Sequence, residues 1–235
     1  MSRVEHLSDD IVLHLADCRD VLPGIGKVDL VLSDPPFGID YQSGHRTDAL
    51  WEGSVIRNDT SVDARDAALL ILAGTPMLIF GSWKAAKPAG VRAVLTWDKG
   101  PALGMGALDL PWKPSSEEIY VIGHGWVGTR DEGAVLYCPP VQSMAKNGRV
   151  HPNEKPVALL LRLLAKSPHG RVCDPFMGSG STGVACVQTG RAFVGVEIEP
   201  RYFDIACRRI SDELRRPRLA LEPVVVKPVQ EGLGL

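Results

Sequence analysis

The sequence predicts a doubly wound α/β sheet, mostly parallel, with helices on both faces. Three observations predict it. Short apolar runs alternate with amphipathic stretches along most of the chain. One such run, residues 170–174, enters a glycine-rich turn that leads straight into a helical pattern. Another, residues 28–33, stops abruptly at Asp34-Pro35-Pro36. Sheets of this kind bind ligands in the crevice beyond the carboxyl ends of their strands, so chemistry is expected at those two ends.

Taken in order, residues 11–15 (IVLHL) predict a short strand and residues 28–33 (VDLVLS) a buried one. Residues 38–60 hold no sustained period and read as a long loop; such loops in compact domains tend to be functional or mobile. Residues 61–73 form an amphipathic pattern with Ser61 placed as its N-cap. Strands follow at 76–81, 91–97 and 117–122, with a Gly/Pro-rich stretch at 99–114. Residues 123–152 are irregular. Pro156 opens a helix to about residue 166, because proline suits a first turn. A strand at 170–174, a helix at 180–190 ending on Gly190, a strand at 192–197 and a helix at 200–213 complete the pattern. The reading is one domain, residues 1–215, with a small insertion at about 100–150. Beyond residue 216 prolines recur without period, which predicts an extended or disordered tail.

Composition agrees. A chain of 235 residues, 45% hydrophobic, suits one such domain and excludes global disorder. A net charge of −2 excludes a protein that coats DNA by bulk charge; any DNA-binding charge must be local. Cys18, Cys138, Cys173, Cys186 and Cys207 are scattered, with no Cys-x-x-Cys pair. That argues against zinc and for a reducing cytoplasm. The histidines form no metal cluster. The start, MSRVEHLSDD, has no signal-peptide pattern, and no apolar stretch is long enough to span a bilayer.

The first chemical strand end reads Asp174-Pro-Phe176-Met-Gly178-Ser179-Gly180-Ser-Thr-Gly183. Gly178 and Gly180 let the backbone turn tightly and approach a ligand. The next strand ends in Glu197, which can accept hydrogen bonds from both hydroxyls of a ribose. Gly178, Gly180, Gly183 and Glu197 also match a dinucleotide fingerprint, so their spacing alone does not separate adenosine cofactors. Asp174 does. It would repel a pyrophosphate on the helix N-terminus and would suit a positive amine or sulfonium.

The second strand end is Asp34-Pro35-Pro36-Phe37. Two successive prolines remove backbone donors and force extended geometry before them. The Asp34 carboxylate and the Pro35 carbonyl are left as acceptors. An exocyclic base amine carries two donors, and its lone pair is delocalised into the ring. Gripping both hydrogens would pull the nitrogen toward tetrahedral geometry and strengthen as charge develops. Phe37 offers a face for base stacking, worth about 1–3 kcal/mol. A base in a duplex would have to be flipped out to reach it.

These segments resemble the amino-methyltransferases of DNA. Asp34-Pro35-Pro36-Phe37 is similar to their catalytic motif, and Asp174-Pro-Phe-Met-Gly-Ser-Gly180 to their cofactor motif. His151-Pro-Asn-Glu-Lys155-Pro156 is similar to the His-Pro-Thr-Gln-Lys-Pro element, and Ala16-Asp17-Cys18 to a Gly-Asp-Cys element. The catalytic motif precedes the cofactor motif, a permuted order that resembles the beta group of the family. The resemblance covers roughly residues 11–213. It implies a Rossmann-like methyltransferase sheet and S-adenosylmethionine as cofactor.

The resemblance also implies roles. Asp34 and Pro35 would bind the target amine, beside Pro36, and Phe37 would stack on the base. Phe176, Gly178, Ser179 and Gly180 would line the cofactor with Asp174. Glu197 would take its ribose, Asp17 would lie near its adenine amine, and Lys155 would sit against its methionine end. Phe37 stands where Tyr is commoner, and Asn153-Glu154 replaces Thr-Gln. The segment 123–150, where target recognition would lie, is short, which favours a short site or a dimer.

Double-stranded DNA is the partner the resemblance implies, with loop 38–60 facing it; a cognate restriction nuclease is compatible with the family. His45, Arg46 and Arg57 in the first loop, with Lys113, Arg130, Lys146 and Arg149 later, are candidate contacts. Trp51 and Trp126 are candidate stacking residues. Asp34 favours N6 of adenine, since the permuted cytosine-N4 group more often resembles Ser-Pro-Pro. The alternatives are cytosine-N4 transfer and a DNA-binding relic without catalysis. The setting implied is a bacterial cell or a phage-infected host.

Overall fold

The computed structural model describes residues 2–37, 61–101, 109, 111–141 and 154–217. The loop 38–60, the residues Lys146, Arg149 and His151, and the tail beyond residue 217 lie outside the described residues, as do His45, Arg46, Trp51 and Arg57.

The described residues form nine strands: β1 Arg3–Ser8, β2 Ile11–Leu15, β3 Leu30–Ser33, β4 Met77–Gly81, β5 Val91–Asp98, β6 Ser116–Ile122, β7 Val135–Tyr137, β8 Val172–Asp174 and β9 Phe193–Glu197. Their helices are α1 Cys18–Val21, α2 Asp63–Ile71, α3 Val157–Ala165, α4 Ser181–Thr189 and α5 Pro200–Leu214. The strands make one sheet in the order β1-β2-β9-β8-β3-β4-β6-β5-β7. From β2 to β4 every neighbouring pair is parallel. The carboxyl ends of β2, β9, β8, β3 and β4 therefore share one edge. β6 runs antiparallel to both β4 and β5, so it starts at that edge with Ser116 and Glu117, where β5 ends.

Side-chain alternation splits the core between two faces. Leu30, Leu32, Phe80, Ile119, Val172 and Phe193 pack on one face, against α3, α4 and α5. Val31, Ile79, Tyr120, Cys173, Val194 and Val196 pack on the other, with Cys18 and Leu22 and with Ala68 of α2. Helices thus cover both faces, as the doubly wound reading requires.

Differences from the sequence-based expectation have physical reasons. β1 was not expected; it is a charged edge strand that pairs antiparallel with β2, and it lacks an apolar face to reveal it. β7 lies inside the stretch read as irregular; it has three residues, too few to show a period. Helix α2 starts later than expected, at Asp63. Ser61 instead accepts from the Asp63 N–H at 3.3 Å and donates to its carboxylate at 2.8 Å. Pro156 is the N-cap of α3 rather than its first helical residue.

Candidate active site

Asp34 immediately follows β3. Its Oδ2 lies 2.7 Å from the Lys155 ammonium, which is buried. Its Oδ1 is buried and has no hydrogen-bond partner among the described residues. An unpartnered buried carboxylate oxygen is costly, unless a ligand supplies the donor.

Lys155 comes from the residues just before α3, and three aromatic rings surround it. Its ammonium lies 4.9 Å from the Phe80 ring centre, 5.8 Å from Trp97 and 5.9 Å from Phe37. It also approaches Glu117 Oε2 at 3.0 Å, off the hydrogen-bond line. The other Glu117 oxygen is bonded to Lys99, whose ammonium rests 4.7 Å from the Trp97 ring. Two carboxylates and two ammoniums thus share one aromatic-walled site, a balance that makes their burial tolerable. Burial pushes Asp34 up to about 6 despite Lys155, and Glu117 adds to the rise. Burial acts on Glu117 in the same direction, but Lys155 and Lys99 outweigh it and hold that carboxyl below its ordinary value.

Lys155, expected at the methionine end of the cofactor, has its ammonium on Asp34 and Glu117, beside the acceptor oxygen. Glu117 and Lys99 went unnoticed in the sequence, where each looks like an ordinary surface charge.

Beside Asp34, the Gly-rich edge is built from β8, its turn, α4 and β9. Asp174 is buried. Its Oδ1 accepts from the Ser33 hydroxyl at 2.6 Å and from the Phe176 N–H at 3.1 Å. Burial raises it to about 6. Glu197 accepts from the Gly178 N–H at 2.9 Å and the Glu199 N–H at 2.8 Å, and burial raises it to about 7. Phe176 is half-buried beside them. Asp17 lies past the end of β2, next to Glu197 across the β2–β9 pair. It caps α1 by accepting from the Arg19 N–H at 2.9 Å, and it pairs with the Arg19 side chain.

Gly178 and Gly180 both take left-handed backbone, at φ 51° and 82°. Packing explains Gly180 further. A Cβ there would sit 2.9 Å from that of Ala206, so the turn is close to α5 as well as to the crevice. Arg209 of α5 braces the turn. It donates to the Ser179 carbonyl at 2.8 Å and hydroxyl at 2.7 Å, and it reaches Glu154 at 2.5 Å. Nothing in the sequence pattern points to that role.

This edge fits a phosphate-free adenosine cofactor with a positive end. Asp17, Asp174 and Glu197 align acceptors along three adjacent strand ends. Neither Asp174 nor Glu197 has a basic partner among the described residues, which would otherwise cancel their pull on hydroxyl donors or a cation.

Arg130 is placed elsewhere. Gly123 leaves β6 at the edge where β4 begins, against Pro76, and Gly128 packs on Lys166 just past the far end of α3. Arg130 lines a cavity of about 540 Å³ there, with Trp126, Leu163 and Lys166. That end of the sheet is opposite Asp34, which removes Arg130 from the expected crevice footprint. Trp126 is packed against the core and donates to the Gly123 carbonyl at 3.2 Å, so it is structural. Lys113 is exposed.

Residues 128–208 match a family described as DNA methylase, of N6/N4 type. The match includes Lys155, the Gly-rich turn and Glu197, while Asp34–Phe37 lies before it. YubD of Escherichia coli (strain K12) is 29% identical over 219 residues, 83% of this chain and 88% of that protein. The DNA adenine methyltransferase YhdJ of the same organism is 39% identical over 81 residues, which cover 34% of this chain and 28% of YhdJ. The crystal structure of an M1.HpyAVI–SAM complex shares the fold, with a TM-score of 0.57 and 23% identity over 85% of this chain and 99% of that one. Over residues 128–208 the chain is thus similar to the N6/N4 family of DNA methylases, and its sheet has the fold of the M1.HpyAVI structure.

Proposed function

We propose that this protein transfers a methyl group from S-adenosylmethionine to N6 of an adenine flipped out of duplex DNA. The observation that carries the proposal is Asp34 Oδ1, a buried acceptor without a partner among the described residues, beside Pro35 and the Phe37 ring. An exocyclic amine would supply the missing donor. Asp34 and the Pro35 carbonyl would hold its two hydrogens while Phe37 stacks on the base.

The cofactor supplies an electrophilic methyl group on a positively charged sulfur. Glu197 and Asp17 are suited to its ribose and adenine, and Asp174 with Phe176 to the side where positive charge lies. Ser179 and Gly180, fixed by Arg209, shape the turn against it. The presence of SAM in the M1.HpyAVI complex supports this choice. Asp at position 34 and the name of YhdJ favour adenine.

The test is incubation with labelled S-adenosylmethionine and duplex DNA, followed by digestion to nucleosides. Label in N6-methyladenine nucleoside is expected. Label in the N4-methylcytosine nucleoside would move the acceptor to cytosine. Cofactor binding without any transfer to DNA would overturn both and leave a DNA-binding relic.

A further inference from the structure

The four-charge cluster behind the acceptor oxygen has more in it than an amine clamp requires. Asp34 needs only one fixed oxygen and one free one. Lys155 alone could fix Oδ2. Yet its ammonium is divided between Asp34 at 2.7 Å and Glu117 at 3.0 Å, and Glu117 is in turn held by Lys99. Both lysines lie against the Trp97 ring, so the cluster is rigidly walled.

We propose that Glu117, with Lys99 behind it, is a positioning residue that shares the Lys155 ammonium with Asp34, and so sets which Asp34 oxygen faces the acceptor and how readily that carboxylate takes a proton. The inference rests on the amino-methylation reading above. Methyl transfer forms a nitrogen–carbon bond as the carbon–sulfur bond breaks, with that electron pair staying on sulfur. The nitrogen then bears a positive charge and must release one of its two protons. Asp34 Oδ1, buried and without a partner among the described residues, would take it. A carboxylate that owned the whole of Lys155 would be a weak base. Glu117 draws off part of that charge and adds its own negative field. Lys99 limits the effect by neutralising Glu117. The charged groups around Asp34 are therefore Lys155 from the start of α3, Glu117 from β6 and Asp174 from β8, with Lys99 after β5 acting through Glu117.

Two substitutions should move Asp34 in opposite directions. Glu117→Gln removes the competing charge, so Asp34 should titrate at lower pH than in the parent. Lys99→Met leaves Glu117 more negative, so Asp34 should titrate at higher pH. Both are read by carbon-13 NMR of the Asp34 carboxyl in the full chain, with no need for turnover, and by the acidic limb of the kcat/KM profile. The Glu117→Gln enzyme should also lose roughly 10-fold or more in kcat at neutral pH, with cofactor affinity unchanged. Thermal unfolding checks that each variant is folded. Asp34 midpoints that stay put in both variants, or move in the same direction, would overturn the inference. A parent enzyme that methylates nothing would sink the functional reading instead, while the NMR comparison would still decide whether Glu117 controls Asp34.

Discussion

The Ser33 hydroxyl donates to Asp174 Oδ1 at 2.6 Å, joining the last residues of two adjacent parallel strands that are 141 positions apart in sequence. Asp34, next to Ser33, faces the acceptor site, and Asp174 opens the Gly-rich turn. One buried hydrogen bond therefore fixes the spacing between the two halves of the proposed reaction. Ser33→Ala removes a bond to a buried carboxylate, to which the Phe176 N–H still donates at 3.1 Å. A loss of about 1.5–3 kcal/mol in stability is expected, together with weaker S-adenosylmethionine binding. Denaturant unfolding and titration calorimetry measure the two effects. Unchanged cofactor affinity would mean that the bond serves the fold only.

Asp34→Asn keeps the side-chain shape but removes the charge that favours the developing cation. A fall of about 10²–10³ in kcat is expected, the range for removal of one preorganised electrostatic partner. Asp34→Ala should abolish transfer altogether. Cofactor affinity should stay near the parent value in both, because Asp34 is held on the acceptor side by Lys155. A large loss of cofactor binding would show that the acceptor and cofactor positions have been exchanged.

The Gly-rich edge predicts a pH signature with opposite signs for stability and binding. Glu197 and Asp174 are raised to about 7 and about 6 from ordinary values of 4.5 and 3.8, chiefly by burial. Within those windows the folded chain binds more protons than the unfolded one. Their contribution to ligand-free stability is therefore lost as pH rises from about 4 to about 7. Cofactor binding runs the other way, since hydroxyl donors favour an ionised Glu197, and affinity should fall as pH drops below about 7. Calorimetry between pH 6 and 8 (a range set by those values) reads the second effect. Glu197→Gln should flatten it, and a variant with the parental pH dependence would remove Glu197 from ribose binding.

Arg209 is expected to matter more than an exposed helix arginine would. Its guanidinium forks to Ser179 and Glu154, so it ties the Gly-rich turn to the residue before Lys155. Lysine cannot reproduce that fork. Arg209→Lys should weaken cofactor binding by roughly 10-fold and lower stability by about 1–3 kcal/mol. Parental affinity in a destabilised variant would confine Arg209 to a structural role.

The sequence disclosed the parallel centre of the sheet because strands buried on both faces read as apolar runs. Asp34, Asp174 and Glu197 stood out as candidates because each follows or ends such a run. It did not disclose Glu117, Lys99 or Arg209. Glu117 opens a strand amid polar residues, and Arg209 sits on a helix rich in charge; only tertiary contact gives either a task. The same limit misplaced Arg130. Lys155 lies in a motif whose resemblance implied the cofactor, and its pairing with Asp34 and Glu117 had no signal in sequence. Arg130 looked like part of one basic rim, but the chain from Gly123 onward leaves the sheet at the opposite edge.

The DNA-facing rim should instead include Trp83. Ile79 pairs with Ser33 across β3 and β4, so Trp83 lies four positions beyond the level of the strand end that carries Asp34. It is 78% exposed, with the Lys84 ammonium 5.7 Å from its ring centre. An exposed indole with a cation over it suits a base face and a neighbouring phosphate. Stacking worth about 1–3 kcal/mol corresponds to a roughly 5- to 150-fold loss of DNA affinity in Trp83→Ala. Trp83→Phe should retain most of that affinity, and neither variant should alter S-adenosylmethionine binding. Lys84→Ala should reduce the salt dependence of DNA binding by about one unit of slope. Fluorescence anisotropy with duplex DNA at several salt concentrations provides the measurement. Equal DNA affinity for Trp83→Ala and the parent would place the DNA on a different part of the catalytic edge.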